Sequence, residues 1–158
     1  MTDITGRVTA VGRIGIIVSR YHERITSRLL EGARQCCREA GVGDGQVDVV
    51  WVPGAFELGS TAAAMADTGR YAALVALGCV VRGDTPHFDY VAGEASRALS
   101  EVAVRKPIPV GFGLLTVEVL QQAIDRAGGS AGNKGYEAAE AALRTADVFR
   151  QLRDNASS

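Results

Sequence analysis

Cysteine is scarce in this chain. Three stand among 158 residues: Cys36 and Cys37 are adjacent, and Cys79 lies inside an apolar run. That spacing offers neither a disulfide framework nor a metal-ligand set, so core thiols in a reducing compartment are expected, with no metal. Charge of either sign is also not in excess. Seventeen basic and eighteen acidic residues interleave to a net charge of -1, which excludes an extended surface for nucleic acid or an anionic membrane. An anionic partner must therefore be bound locally. The longest apolar run, Tyr71 to Val81, is far short of the roughly 20 residues a membrane-spanning helix needs. The opening MTDITGR has neither a basic region nor an apolar stretch of signal-peptide type, so a soluble cytoplasmic protein is expected. No G-x-G-x-x-G or Walker loop occurs, which argues against a generic nucleotide-binding domain. Repeats, linkers and low-complexity segments are lacking too. With 47% hydrophobic residues, the chain reads as one domain over 1–158, with 1–12 as an amino-terminal arm and 153–158 as a frayed tail.

What is present is organised around residues 71–91, YAALVALGCVVRGDTPHFDYV. The apolar run Tyr71 to Val81 reads as a strand buried on both faces, which implies a parallel sheet. Gly83, Asp84, Thr85 and Pro86 then form a loop, with Thr85 as a capping candidate and Pro86 at the first helical position. A strand's carboxyl end feeding a helix's amino end is where open α/β sheets collect ligands and where free N–H groups attract anions. The loop is built as a phosphate seat. His87 follows at once; alone it is equally a surface histidine or an acid/base group.

The rest of the chain repeats the alternation. Arg13 to Ser19 reads as a strand, and Ile25, Leu29, Ala33, Cys36 and Ala40 recur at helical spacing up to Gly41. Tyr21 lies in the connection between them. Val47 to Val52 is a second strand, ended by Pro53-Gly54, and Ala55-Phe56-Glu57 opens an alanine-rich helix closed by Gly69. Glu57 in a first turn is ordinarily there for the helix dipole. Pro107 to Leu115 reads as a fourth strand, with Phe112 between two glycines that mark a close approach or a bulge equally well. Thr116 is the expected cap of a helix of roughly ten residues ending at Gly128-Gly129, and a last helix is expected from about Lys134 to Leu152. Tyr21, Ala55 to Glu57, Gly83 to His87 and Phe112-Gly113 are thus expected together at the carboxyl edge of the sheet. Arg126 is not, because a ten-residue helix carries it about 15 Å away. If it serves that site, it arrives from a neighbouring subunit.

Four segments, VVWVPGAFELG, ALGCVVRGDTPHFDYVAGEAS, GFGLLT and QAIDRAGGSAGNKGYEAA, occur in that order, and in them the chain resembles the 6,7-dimethyl-8-ribityllumazine synthases of riboflavin biosynthesis. The resemblance implies a flavodoxin-like three-layer α/β/α sandwich with a four-stranded parallel sheet; the polar arm 1–12, with Ile4, Val8 and Val11 its sizeable apolar residues, reads as a candidate edge strand on this or a neighbouring subunit. It further implies a cofactor-free condensation of 5-amino-6-(D-ribitylamino)uracil with 3,4-dihydroxy-2-butanone 4-phosphate. By matching position, Tyr21 stacks on the pyrimidine, Ala55, Phe56 and Glu57 hold the ribityl chain, and Val80 and Val81 flank the pyrimidine. Gly83, Asp84 and Thr85 seat the phosphate, His87 transfers the proton, and Phe112, Arg126 and Lys134 come from the neighbour. Tyr21 replaces the commoner Phe or Trp, which preserves stacking. Asp84 and Ser130 also depart from the commoner residues, and both bear on phosphate affinity. The family builds pentamers, and members with no insertion in the turn Gly128 to Gly135, as here, close twelve of them into an icosahedral shell. Two other readings compete: a carrier that holds flavin without catalysis, for which His87 and Arg126 have no use, and a purely structural shell subunit.

Overall fold

The computed structural model describes residues 1–157. β1 (Ile14–Ser19) leads to α1 (Glu23–Glu39), β2 (Val47–Val52) to α2 (Leu58–Asp67), and β3 (Ala73–Val81) to α3 (His87–Arg105). β4 (Val110–Val117) is followed by α4 (Leu120–Arg126), a small hairpin of β5 (Ala127–Gly129) and β6 (Gly132–Asn133), and α5 (Lys134–Ala156). The four long strands form one parallel sheet in the order β2-β1-β3-β4. This is the helix-covered parallel sheet that the strand and helix alternation implies, arranged as a flavodoxin-like α/β sandwich.

Burial follows from that order. Every residue of central β1 is buried, because helices cover both faces of the sheet. Its Ile14, Ile16 and Val18 face a core shared with α1, α4 and α5, whereas Ile17 faces a second core built from α2 and α3. At the edge, β4 is buried less completely, and Phe112 and Thr116 remain exposed.

Small residues let the outer helices seat closely. A methyl group added at Gly135 would run into the backbone carbonyl of Leu29 on α1, and one at Gly111 into that of Ala138 on α5. Backbone cannot swing aside as a flexible side chain can. Gly135→Ala should therefore cost about 3 kcal/mol and lower Tm by roughly 10 °C. A calorimetric melt within about 2 °C of the parent would show that α1 and α5 separate freely.

Several boundaries differ from the sequence reading. β4 begins at Val110 and continues to Val117, so Thr116 is a strand residue and not a helix cap. The start of α4 is closed instead by Gln122, whose Oε1 accepts from the N–H groups of Glu118 and Val119. Phe112 pairs in register with Ala76, early in β3, and so does not stand at the carboxyl edge. The helical register of α5 runs on to Ala156, past Leu152, helped by the Arg150–Asp154 pair at 3.1 Å. Ser158 lies outside the described residues.

The amino-terminal arm forms no strand within this chain, since residues 5–7 lie along α5. Gln151 donates to the Thr5 carbonyl, Arg144 to the Gly6 carbonyl, and the Arg7 N–H to Asp147. Asp147 is 1% exposed. The Arg7 N–H and then Arg150 hold its carboxyl below the usual range, so this docking strengthens above the ordinary carboxylate pKa and weakens as pH falls through the lowered one.

Candidate active site

The sheet reverses its winding between β1 and β3, and ligands of such folds collect at that point, outside the carboxyl ends of the strands. A cleft of about 720 Å³ opens there. It is more than twice the size of the hollow beside α1 and β2, at about 320 Å³, or of the one near Lys106 and Phe149, at about 280 Å³.

Three connections build the cleft. The first follows β1, where the N–H groups of Arg20 and Tyr21 bond to the carbonyls of Val52 and Pro53 and tie this turn to the end of β2. His22 then takes a left-handed conformation, with φ of 59° and ψ of 50°. Such a backbone is uncommon outside glycine. It turns the chain sharply into α1, with the Tyr21 ring edge-on to His22 at 4.7 Å and 67% exposed. The second connection is a single turn of 3-10 helix at Ala55–Glu57, where Ala55 is buried and Phe56 is exposed. Glu57 closes that turn ahead of α2, with its carboxylate folded back toward Gly54.

The third connection carries Gly83, Thr85 and His87. α3 starts at His87, so Pro86 takes the cap position in place of Thr85, whose hydroxyl accepts the His87 N–H at a long 3.4 Å. Among the described residues, no backbone carbonyl takes the N–H groups of Gly83, Asp84 or Thr85, and the His87 imidazole has no hydrogen-bond partner. An open loop with unused donors ahead of a helix is suited to an anion.

Of the residues singled out from sequence, the cleft gathers Tyr21, Ala55, Phe56, Val80, Val81, Gly83, Thr85 and His87. Glu57 and Asp84 adjoin it in sequence without lining it. The sequence reading missed Phe88, Tyr90, Val91 and Glu94 on α3. Their signal was available: positions 90, 91 and 94 lie three, four and seven residues beyond His87, which puts them on its face of the helix. Cys79 also contributes to the wall. Burial pushes its thiol up to about 11, so it stays protonated and behaves as an apolar surface.

Phe112, Arg126 and Lys134 are absent from the cleft. α4 has seven residues rather than ten, so distance alone separates Arg126 by only about 10 Å. The sheet provides the stronger barrier. Ala123 and Ala127 pack α4 into the core on the α1 and α5 face, whereas α2 and α3 cover the other. Arg126 instead donates to the carbonyl of Gln122 in its own helix, and Lys134 pairs with Glu137 at 3.2 Å. The hairpin pairs Ala127 with Asn133, which brings Arg126 and Lys134 side by side. Phe112 is 51% exposed on the sheet's edge strand. The cleft is therefore well supplied with aromatic surface and short of cations, while two cations and an exposed ring stand elsewhere on the same chain.

The family model for 6,7-dimethyl-8-ribityllumazine synthase matches residues 12–150. The chain belongs to the 6,7-dimethyl-8-ribityllumazine synthase family. Membership makes it an enzyme of riboflavin biosynthesis. The matched span includes every residue that lines the cleft, as well as Phe112, Arg126 and Lys134. Among the described residues, no helix is long and apolar enough to cross a membrane.

Proposed function

We propose that this chain is a transferase that condenses 5-amino-6-(D-ribitylamino)uracil with 3,4-dihydroxy-2-butanone 4-phosphate, giving 6,7-dimethyl-8-ribityllumazine and releasing phosphate and water. The observation that carries the proposal is the meeting of exposed aromatic rings, an unpartnered imidazole and a loop with free N–H groups in one cleft of a lumazine synthase fold. Tyr21 stacks on the pyrimidine, with Val80 and Val81 against its edge. Ala55, Phe56 and Glu57 take the ribityl chain, where the Glu57 carboxylate can accept from hydroxyls. Gly83, Asp84 and Thr85 seat the phosphate.

The chemistry needs a Schiff base between the pyrimidine's 5-amino group and the butanone carbonyl, elimination of phosphate, and ring closure. Proton transfer assists each step, and His87 is placed to carry it; its neutral imidazole accepts a proton and its protonated form returns one. Holding both reactants in one cleft supplies much of the remaining acceleration. Phosphate leaves as an anion, and a cation beside it stabilises the departing charge. This chain's cleft holds none, so a neighbouring subunit completes it with Arg126 and Lys134, and with Phe112 over the pyrimidine.

The purified protein mixed with both substrates should yield the fluorescent lumazine at the same rate with and without EDTA. Absence of product from assembled protein overturns the activity, and loss in EDTA with recovery on adding metal overturns the cofactor-free chemistry. Assembly follows from the shared site: pentamers, and with the uninterrupted turn from Gly128 to Gly135, a shell of sixty subunits in the cytoplasm. Sedimentation at neutral pH should show a species of about one megadalton, the mass of sixty chains of 16.6 kDa. A pentamer alone, unchanged by concentration or phosphate, would contradict the shell.

A further inference from the structure

The helix that carries His87 starts with little to hold it. Pro86 in the cap position makes no side-chain bond, and the Thr85 hydroxyl reaches the His87 N–H only at 3.4 Å. All residues from Arg82 to His87 are exposed. A proton-transfer group has to be placed to within a fraction of an ångström to work, so something else must fix this turn.

One side chain meets that need. Arg82, the first residue after β3, lays its guanidinium over the Phe88 ring at 4.4 Å. Its Nη2 lies 3.3 Å from Asp89 in the first turn of α3, and its Nε lies 2.8 Å from Glu118, just past β4. Its own N–H bonds to the Val117 carbonyl at 2.9 Å. A planar fork can stack on a ring and engage two carboxylates at once, whereas a lysine ammonium cannot. Both residues it grips on α3 directly follow His87, and buried Phe88 is itself a wall of the cleft.

We propose that Arg82 is a positioning residue for His87: it pins the first turn of α3 to the end of β4 and so aims the imidazole into the cleft. This rests on the proton-transfer role given to His87 above. Arg82 is assigned no phosphate, because it does not line the cleft and its guanidinium is turned to two carboxylates and a ring instead. Its ion pairs are solvent-exposed and contribute little to global stability, so its effect falls on geometry rather than on Tm.

The test uses the assembled full chain. Arg82→Ala should lower kcat about 10-fold, with KM for the ribitylaminopyrimidine within about twofold of the parent and Tm nearly unchanged. Arg82→Lys should not rescue it, because the charge returns without the fork. Combining Arg82→Ala with His87→Ala should be no slower than His87→Ala alone, since the two act through one group. Hydrogen–deuterium exchange of peptides spanning residues 82–92 should quicken in Arg82→Ala. That readout needs no turnover, so it tests the positioning even if the parent protein makes no lumazine. Unchanged exchange overturns the proposal, as does a defect confined to KM for the butanone phosphate, which would make Arg82 a direct ligand. Independent, multiplying defects in the double variant overturn it too.

Discussion

Replacing His87 by alanine should lower turnover by roughly 10- to 1000-fold while pyrimidine affinity stays within a factor of about two, as for loss of a general acid/base. The separation of the two effects follows from where the groups stand. In the proposed site the pyrimidine is held by Tyr21, just past β1, and by Val80 and Val81 at the end of β3, whereas His87 opens α3 and its imidazole has no hydrogen-bond partner among the described residues. Removing the imidazole therefore leaves the stacking surface in place and creates no buried, unpaired partner. Steady-state kinetics with each substrate varied in turn measures the split. An equal loss in affinity for both substrates with kcat unchanged would make His87 a binding residue.

Arg126→Ala should act on the other substrate. Loss of a charge-assisted clamp on phosphate is worth about 1.5 to 3 kcal/mol, so KM for the butanone phosphate should rise roughly 10- to 150-fold, with the pyrimidine little affected. The fold of an isolated chain should hardly register the change, because the guanidinium's one hydrogen bond goes to a carbonyl in its own helix, Gln122. A variant with unchanged KM for the phosphorylated substrate would remove Arg126 from the site. A drop in Tm without a kinetic defect would show that the side chain serves α4 alone.

The central strands were legible because burial on both faces leaves little choice: IGIIVS and ALVALGCVV are continuous apolar runs, and both became strands at those positions. The loops that bear Tyr21, Phe56 and His87 followed from them, since a parallel sheet sends every strand-to-helix connection to the same edge. β4 was less legible. Its apolar run opens with two prolines, and Pro109 joins the sheet only through its carbonyl, which accepts from Leu74; the regular pairing starts one residue later. Thr116 carries both a capping hydroxyl and a β-branched carbon, and the sheet won because Val80 on β3 was there to pair with it. That shift moved Phe112 away from the carboxyl edge. The docking of the arm was hidden for another reason: Arg144, Asp147 and Gln151 form a polar stripe at helical spacing on α5 whose partner is separated by well over a hundred residues. Arg82 was equally silent, because its value lies in the simultaneous reach to Phe88, Asp89 and Glu118.

The claim on which the account turns is that one catalytic site takes His87 from one subunit and Arg126 from the next. The single-chain geometry motivates it, with the sheet standing between the His87 cleft and the Arg126 helix. Co-expression of His87→Ala and Arg126→Ala chains tests it directly, because in a mixed ring some sites draw an intact His87 from one variant and an intact Arg126 from the other. Random mixing in equal amounts restores about a quarter of the sites, so the co-assembled protein should recover roughly a quarter of parental activity at limiting butanone phosphate. Activity no higher than the average of the two variants assembled separately would contradict a shared site.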